Sequence, residues 1–190
     1  MNNHSLIHAV PQTAAVAVAP DDAASEFCWY AVSTKSRHEK IVAQQFVAKQ
    51  IEHFLPLAPF RRRWSNRYKT VYEPLFAGYV LVRLVHADYA QRVAVLDCRG
   101  VAKFVGNGAV AWPVPDREVD SVRIVVQSRL EYSPYPYLQK GTLVEVVHGP
   151  LIRACGILII EPRKHRLVVS IPMMSQSVAV DIDVADVRPC

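Results

Sequence analysis

Five cations fall within nine residues of this chain: Arg61, Arg62, Arg63, Arg67 and Lys69, with Trp64 and Tyr68 set among them in "RRRWSNRYK". Arginine forks grip phosphate oxygens in pairs, and aromatic faces stack on unpaired bases at ~1–3 kcal/mol each. The mixture suits contact with a nucleic acid. A solvated charged loop is the plainer reading of the same run. Ser65-Asn66 is a turn-prone pair, so the stretch reads as a basic hairpin or loop. In an alternating strand Arg61 and Arg63 share one face, Arg62 and Trp64 the other.

A second stretch, "VYEPLFAGYVLVRL", sets Leu75 and Phe76 beside Ala77 and Gly78, ahead of an apolar run. Tyr79 and Leu81 leave that run on one side, Val80 and Val82 on the other. One set covers helices; the other is either core or a face held out for a partner. Leu75, Phe76 and Tyr30 of the neighbouring strand are candidates for that face. A third stretch, "VEVVHGPLIRACGILIIEP", turns at Gly149-Pro150 with Leu151 and Ile152 in the turn.

Signals for catalysis are weak. The chain has seven glycines and no glycine-rich phosphate loop. No Ser/His/Asp set carries a local signature. Cys28, Cys98, Cys155 and Cys190 lie far apart, without metal-ligand spacing, and the histidines form no cluster. No enzyme, cofactor or metal is expected. The thiols read as free, in a reducing, cytoplasmic setting.

The elements that must hold these residues come from periodicity. "FCWYAVST" is aromatic and β-branched, a strand. Ser36 and Glu39 form a capping box for a helix with Val42 and Phe46 on one face. "HFLPLAP" is a short strand limited by prolines, and "GYVLVRLV" is a central strand covered on both faces. Tyr89, Val93 and Leu96 mark a short helix ended by Gly100. Gly106-Asn107-Gly108 turns between two short strands. Pro115-Asp116 opens a further helix, with Val119, Val122, Val126 and Leu130 along one side. From "TLVEVV" onward the chain holds only short β-rich runs about ten residues apart, which predicts a small all-β barrel.

The fold class is therefore α+β: an α/β sandwich over residues 27–130, a linker over 131–137 ("EYSPYPY") and a barrel over 138–190. Residues 1–26 read as a flexible tail, a poor signal peptide. The longest apolar runs fall far below the ~20 residues of a membrane span. Charge follows this division. The net value is +5, and residues 27–130 hold sixteen Lys and Arg against eight Asp and Glu. A basic first domain favours a polyanionic partner.

The ordered series "CWYAVSTKSRHEK", "FLPL", "EPLFAGYVLVRL", "GVAKFVG", "VPVPDREVDSV" and "YLQKGTLVEVVHGPLIRACGILII" resembles the NusG family of transcription elongation factors, especially its specialised antiterminator paralogues of the RfaH type. The likeness spans about residues 27–189. It implies an N-terminal NusG-type domain with an antiparallel sheet and a C-terminal KOW (SH3-like) barrel in a monomer. It also implies that Tyr30, Leu75, Phe76 and Tyr79 line or support a contact with the clamp helices of RNA polymerase. Lys35 and the hairpin, Arg61, Arg62, Arg63, Trp64, Arg67 and Lys69, would then approach non-template DNA in the bubble. Leu151, Ile152, Met173 and Met174 would meet a second partner, a small-subunit ribosomal protein or Rho. Ser175 and Gln176 stand where relatives carry Gly-Arg, and Ala77 where they carry proline; both departures favour a dedicated paralogue. A ribosome- or RNA-binding KOW protein without polymerase contact is the rival expectation.

Overall fold

Aromatic and β-branched residues from Phe27 to Thr34 form strand β1, and the apolar run Tyr79–Val85 forms β5 directly against it, antiparallel. A computed structural model describes residues 27–64, 67–86, 88–108, 110–128, 130–137, 141–161 and 164–190, apart from the side chains of Trp64, Glu161 and Lys164. The tail over residues 1–26 and the turn pair Ser65-Asn66 lie outside the described residues.

Helix α1 spans Glu39–Ala48. Strands β2 (His53–Phe54), β3 (Leu57–Trp64) and β4 (Arg67–Pro74) precede β5. Helix α2 (Tyr89–Leu96), β6 (Val101–Phe104), β7 (Pro113–Val114) and helix α3 (Asp116–Gln127) follow. The first sheet runs β2-β5-β1-β6, with β7 also on β1, while β3 and β4 form a separate two-stranded sheet among the described residues. Alternation divides β1 and β5 between two cores. Tyr30, Val32, Val80, Val82 and Leu84 face α1 and α2, in a cluster with Val42, Phe46 and Val95. Trp29, Ala31 and Leu81 face the other way, joining Leu75, Phe76 and the α3 residues Val119, Val122 and Val125.

The rest of the chain is β8 (Tyr132–Tyr135), β9 (Thr142–Val146), β10 (Cys155–Glu161), β11 (Lys164–Ile171), β12 (Gln176–Asp181) and β13 (Val187–Pro189). They form one antiparallel sheet in the order β13-β9-β10-β11-β12-β8. Short 3₁₀ turns at Pro172–Met174 and Val184–Asp186 interrupt it. No α-helix occurs among the described residues of 138–190. Gly156 is required by close approach: a Cβ there would stand 2.5 Å from the Val168 carbonyl oxygen on β11. The all-β character expected of this half is what the chain adopts.

Three local expectations are corrected. The capping box does not form: α1 has no side-chain cap at His38, and Glu39 is buried, its Oε1 accepting from the Gly78 amide at 2.7 Å. A tertiary acceptor role outcompetes the local one. On α2 it is Val95 that is buried, while Tyr89 and Leu96 are exposed, because one short turn faces the sheet. The segment read as a linker supplies strand β8, paired along β12. Proline is tolerated there because β8 lies at the sheet edge.

The two halves share one core. The cluster holding Trp29, Leu75, Phe76, Val119, Val122 and Val125 continues into Val144, Val146, Leu151, Leu167, Val169, Ile171 and Val178. Helix α3 is the hinge of this packing. The Cys155 amide donates to Ser121 Oγ (3.0 Å), and Ser121 is 1 % exposed. At β8 the Tyr132 hydroxyl donates to the Leu57 carbonyl (2.8 Å).

Candidate nucleic-acid interface and apolar face

The basic stretch is a two-stranded ribbon, with Arg61 opposite Thr70, Arg62 opposite Lys69, and Arg63 opposite Tyr68. Its register puts Arg61, Arg63, Tyr68, Thr70 and Tyr72 on one face. All five are exposed. The Arg61 guanidinium lies 5.2 Å from the Tyr68 ring centroid, holding cation and π-surface side by side. This face presents phosphate-gripping forks and two stackable rings to solvent.

Arg62 behaves differently. It leaves the opposite face and forks onto Glu73, with Nε and Nη2 donating to the carboxylate at 2.9–3.0 Å. That bond raises the Arg62 pKa and holds the Glu73 carboxyl below the ordinary carboxylate range. Lys40 and Arg37 also lower Glu73 by charge alone, so both stand near this end of the ribbon. Lys40 Nζ donates to the Tyr72 carbonyl at 2.5 Å and braces β4 on α1. Lys35 is exposed in the turn after β1. Arg67 and Lys69 are exposed as well, and the Trp64 side chain lies outside the described residues.

The ribbon and the apolar face are one continuous piece of chain. Strand β4 ends at Pro74, and Leu75 and Phe76 follow at once. The Leu75 amide donates to the Pro56 carbonyl (2.8 Å), closing the ribbon base beside β3. Gly78, at φ +83°, makes the turn into β5 and offers its amide to Glu39. Leu75 and Phe76 are 3 % and 1 % exposed, packed in the core that continues into the second sheet, and half-buried Tyr79 packs against it. Tyr30 does not share that face. It points to α1 and α2, its hydroxyl 2.6 Å from His86 Nδ1 and its ring under Arg92, and burial raises its pKa.

Around this apolar face stand residues that sequence reasoning missed. Trp29 and Phe54 both lie under the Arg123 guanidinium of α3, at 5.7 and 5.3 Å, and Arg123 is held by Asp120. Tyr72 was also missed, although a period of two from Tyr68 reaches it. In the second sheet, Leu151 and Met174 are buried, Met173 is half-buried and Ile152 is 51 % exposed. The partner surface expected there reduces to Ile152 and part of Met173.

Between α3 and the second sheet lies a cavity of about 360 Å³, lined by Arg117, Glu118, Ser121, Tyr137, Cys155 and Ser170 among others. Glu118 Oε2 is buried without a hydrogen-bond partner, and burial pushes its carboxyl up to about 7. Among the described residues, no group of three His, Cys, Asp or Glu could hold a metal, and no helix is long and apolar enough to cross a membrane.

Comparison with known proteins bears on what these surfaces serve. Solved structures similar to this chain include one titled "Domain interaction in Thermotoga maritima NusG", 22 % identical, covering 87 % of this chain and 98 % of that one at a TM-score of 0.49. Another is conformation B of the MjSpt4:Spt5 complex, 14 % identical, covering 85 % and 95 % at a TM-score of 0.29. No curated protein matches. The family model described as "Transcription termination factor nusG" matches residues 27–123, which is β1 to the middle of α3. On that match over half of its length, the chain belongs to the NusG family of transcription factors.

Proposed function

We propose that this protein is an elongation and antitermination factor that bridges RNA polymerase and the open DNA duplex. The observation that carries the reading is the continuity of the ribbon with the apolar face at Pro74-Leu75. One segment carries an exposed cationic, aromatic finger and, at its root, apolar residues packed in the core shared with the second half. Leu75, Phe76 and Tyr79, with Trp29 and Phe54, would form or support the seat for the polymerase clamp helices, a helical coiled coil. Arg61, Arg63, Tyr68 and Tyr72, with Lys35 nearby, would hold non-template DNA. Binding both at once would favour the closed clamp over the open one and so reduce pausing, a population shift rather than chemistry.

The core shared by both halves adds a condition. The apolar seat is continuous with the second sheet, so polymerase binding at this seat requires the second half to release it. The freed half would then recruit a second partner, a small-subunit ribosomal protein or Rho, through Ile152 and Met173. The test is a pausing assay with purified polymerase. Wild type is expected to shorten pauses, and the Arg61→Glu/Arg63→Glu variant to lose most of that effect while melting at the same temperature. An unchanged effect would remove the DNA role. Recovery of ribosomal proteins but no polymerase in a pull-down would favour the RNA-binding rival.

A further inference from the structure

Arg117, the second residue of α3, reaches into the second half and ends between two thiols. Its Nη2 donates to Cys190 Sγ at 3.1 Å. The same side chain lines one cavity with the Cys155 thiol, and the neighbouring Cys155 and Cys190 raise the arginine's pKa. Four residues further along α3, Ser121 Oγ accepts the Cys155 amide. Arg117 and Ser121 thus form the polar latch by which α3 holds the second sheet, and two cysteines form its other side. Cys155 is half-buried and lines the cavity, and Cys190 is exposed, so a small oxidant reaches both. Cys98 is buried, 2 % exposed.

We propose that Cys155 and Cys190 are a peroxide-oxidised thiol pair whose joining expels Arg117 and unlatches α3 from the second sheet. The Cys155 sulfur attacks one oxygen of hydrogen peroxide. An S–O bond forms, the O–O bond breaks, and the departing hydroxide takes the thiol proton to leave as water. The Arg117 guanidinium stands beside that sulfur, where negative charge develops on the leaving oxygen. The Cys190 thiol then attacks the sulfenic sulfur. The S–S bond forms, the S–O bond breaks, and a second water leaves. Two thiols are oxidised and one peroxide is reduced to two waters.

The geometry ties this chemistry to release. Strand β9 lies between β10 and β13, with Cys155 level with Glu145 and Arg188 and Cys190 two residues further along, so the two cysteine Cα atoms stand roughly 11–12 Å apart. A disulfide spans only ~4.4–6.8 Å between Cα atoms. The sulfurs can meet only if Cys190 leaves its single backbone bond to the Leu143 carbonyl and folds across β9. The Cys190 sulfur that must move is the one Arg117 Nη2 holds, so the move breaks that bond. Reduction restores the wedge, which suits a compartment where thiols are the resting state.

The experiment uses the full chain, about one equivalent of hydrogen peroxide, and peptide mass mapping after alkylation. A Cys155–Cys190 linked peptide is expected before Cys98 is modified, and dithiothreitol reverses it. In Cys190→Ser the reaction stops at a Cys155 sulfenic acid that dimedone traps. Arg117→Gln, checked for an unchanged circular dichroism spectrum, slows Cys155 oxidation about tenfold. Amide exchange over residues 116–127 rises in the oxidised wild type and stays low in oxidised Cys190→Ser. Independent over-oxidation of the two cysteines without a link would overturn the pairing. A link with unchanged exchange in α3 would overturn the release. Neither readout involves polymerase, so failure here is separable from failure of the proposed function.

Discussion

Glu39, at the start of α1 and only 6 % exposed, accepts a hydrogen bond from the Gly78 amide 39 residues away, at 2.7 Å. That one bond fastens the helix to the turn that carries Leu75 and Phe76 into β5. Hydrogen bonds to a charged partner contribute ~1.5–3 kcal/mol. Glu39→Ala should therefore lose about 2 kcal/mol of stability in urea unfolding, and Glu39→Gln less. An unchanged midpoint for Glu39→Ala would show that the turn is held by packing alone.

The two faces of the ribbon should separate in DNA binding. Arg61 and Arg63 are free to meet phosphate, whereas Arg62 is engaged by Glu73. Each lost phosphate contact on a single strand lowers the salt slope by ~0.7. Reversing Arg61 and Arg63 together should flatten the slope by ~1.4 for a single-stranded oligonucleotide, read by fluorescence anisotropy. Arg62→Ala should change the slope far less. Equal effects at all three positions would reduce the ribbon to a diffuse positive charge.

Burial decides how the apolar candidates respond. Phe76 is 1 % exposed, and truncating a buried Phe costs ~3–5 kcal/mol. Phe76→Ala should destabilise the fold by about that amount, so loss of polymerase binding in this variant would report unfolding as much as contact. Ile152 is half in solvent. Ile152→Ala should leave the melting temperature within a degree or two while weakening capture of the second partner, measured on a ribosomal-protein column.

Closure should depend on pH through Glu118. Its carboxyl is pushed up to about 7 by burial between α3 and the second sheet, against an ordinary 4.5. Arg117, Tyr137 and Cys155 line the same cavity. The closed chain keeps a proton that an open or unfolded chain gives up, so closed-state stability falls as pH rises from about 4.5 through about 7. Glu118→Gln should flatten this part of the melting-temperature profile between pH 5 and pH 8. A wild-type profile that rises over the same interval would contradict the assignment.

Strand and helix order was largely legible because periodicity and turn residues are local. β1, β5 and four strands of the second sheet follow their sequence patterns closely, and α3 does so through Val119 and Val122, with Val125 buried and Leu130 exposed beyond the helix end. The split of Arg61 and Arg63 from Arg62 between the ribbon's faces followed too, since alternation alone sorts them, whereas the cross-strand register did not. What was illegible depends on distant partners. Nothing near Glu39 says that its acceptor role lies at Gly78. Nothing in β1 says which of Trp29 and Tyr30 meets α1 and which meets α3. The segment "EYSPYPY" has the composition of a linker, and only the free edge of β12 recruits it as β8. The latch of Arg117 on Cys155 and Cys190 joins residues 38 and 73 positions apart, beyond any spacing rule.

In the proposed function the apolar seat must be released before it can hold polymerase. Ser121 Oγ lies 3.0 Å from the Cys155 amide, so a Ser121→Cys variant in a Cys190→Ser background can be oxidised to staple α3 to the second sheet. Pausing by purified polymerase is then measured with the stapled chain and with the same sample after reduction. The stapled form should give no pause suppression, and cutting the staple should restore it in full. Equal suppression by both forms would contradict that requirement.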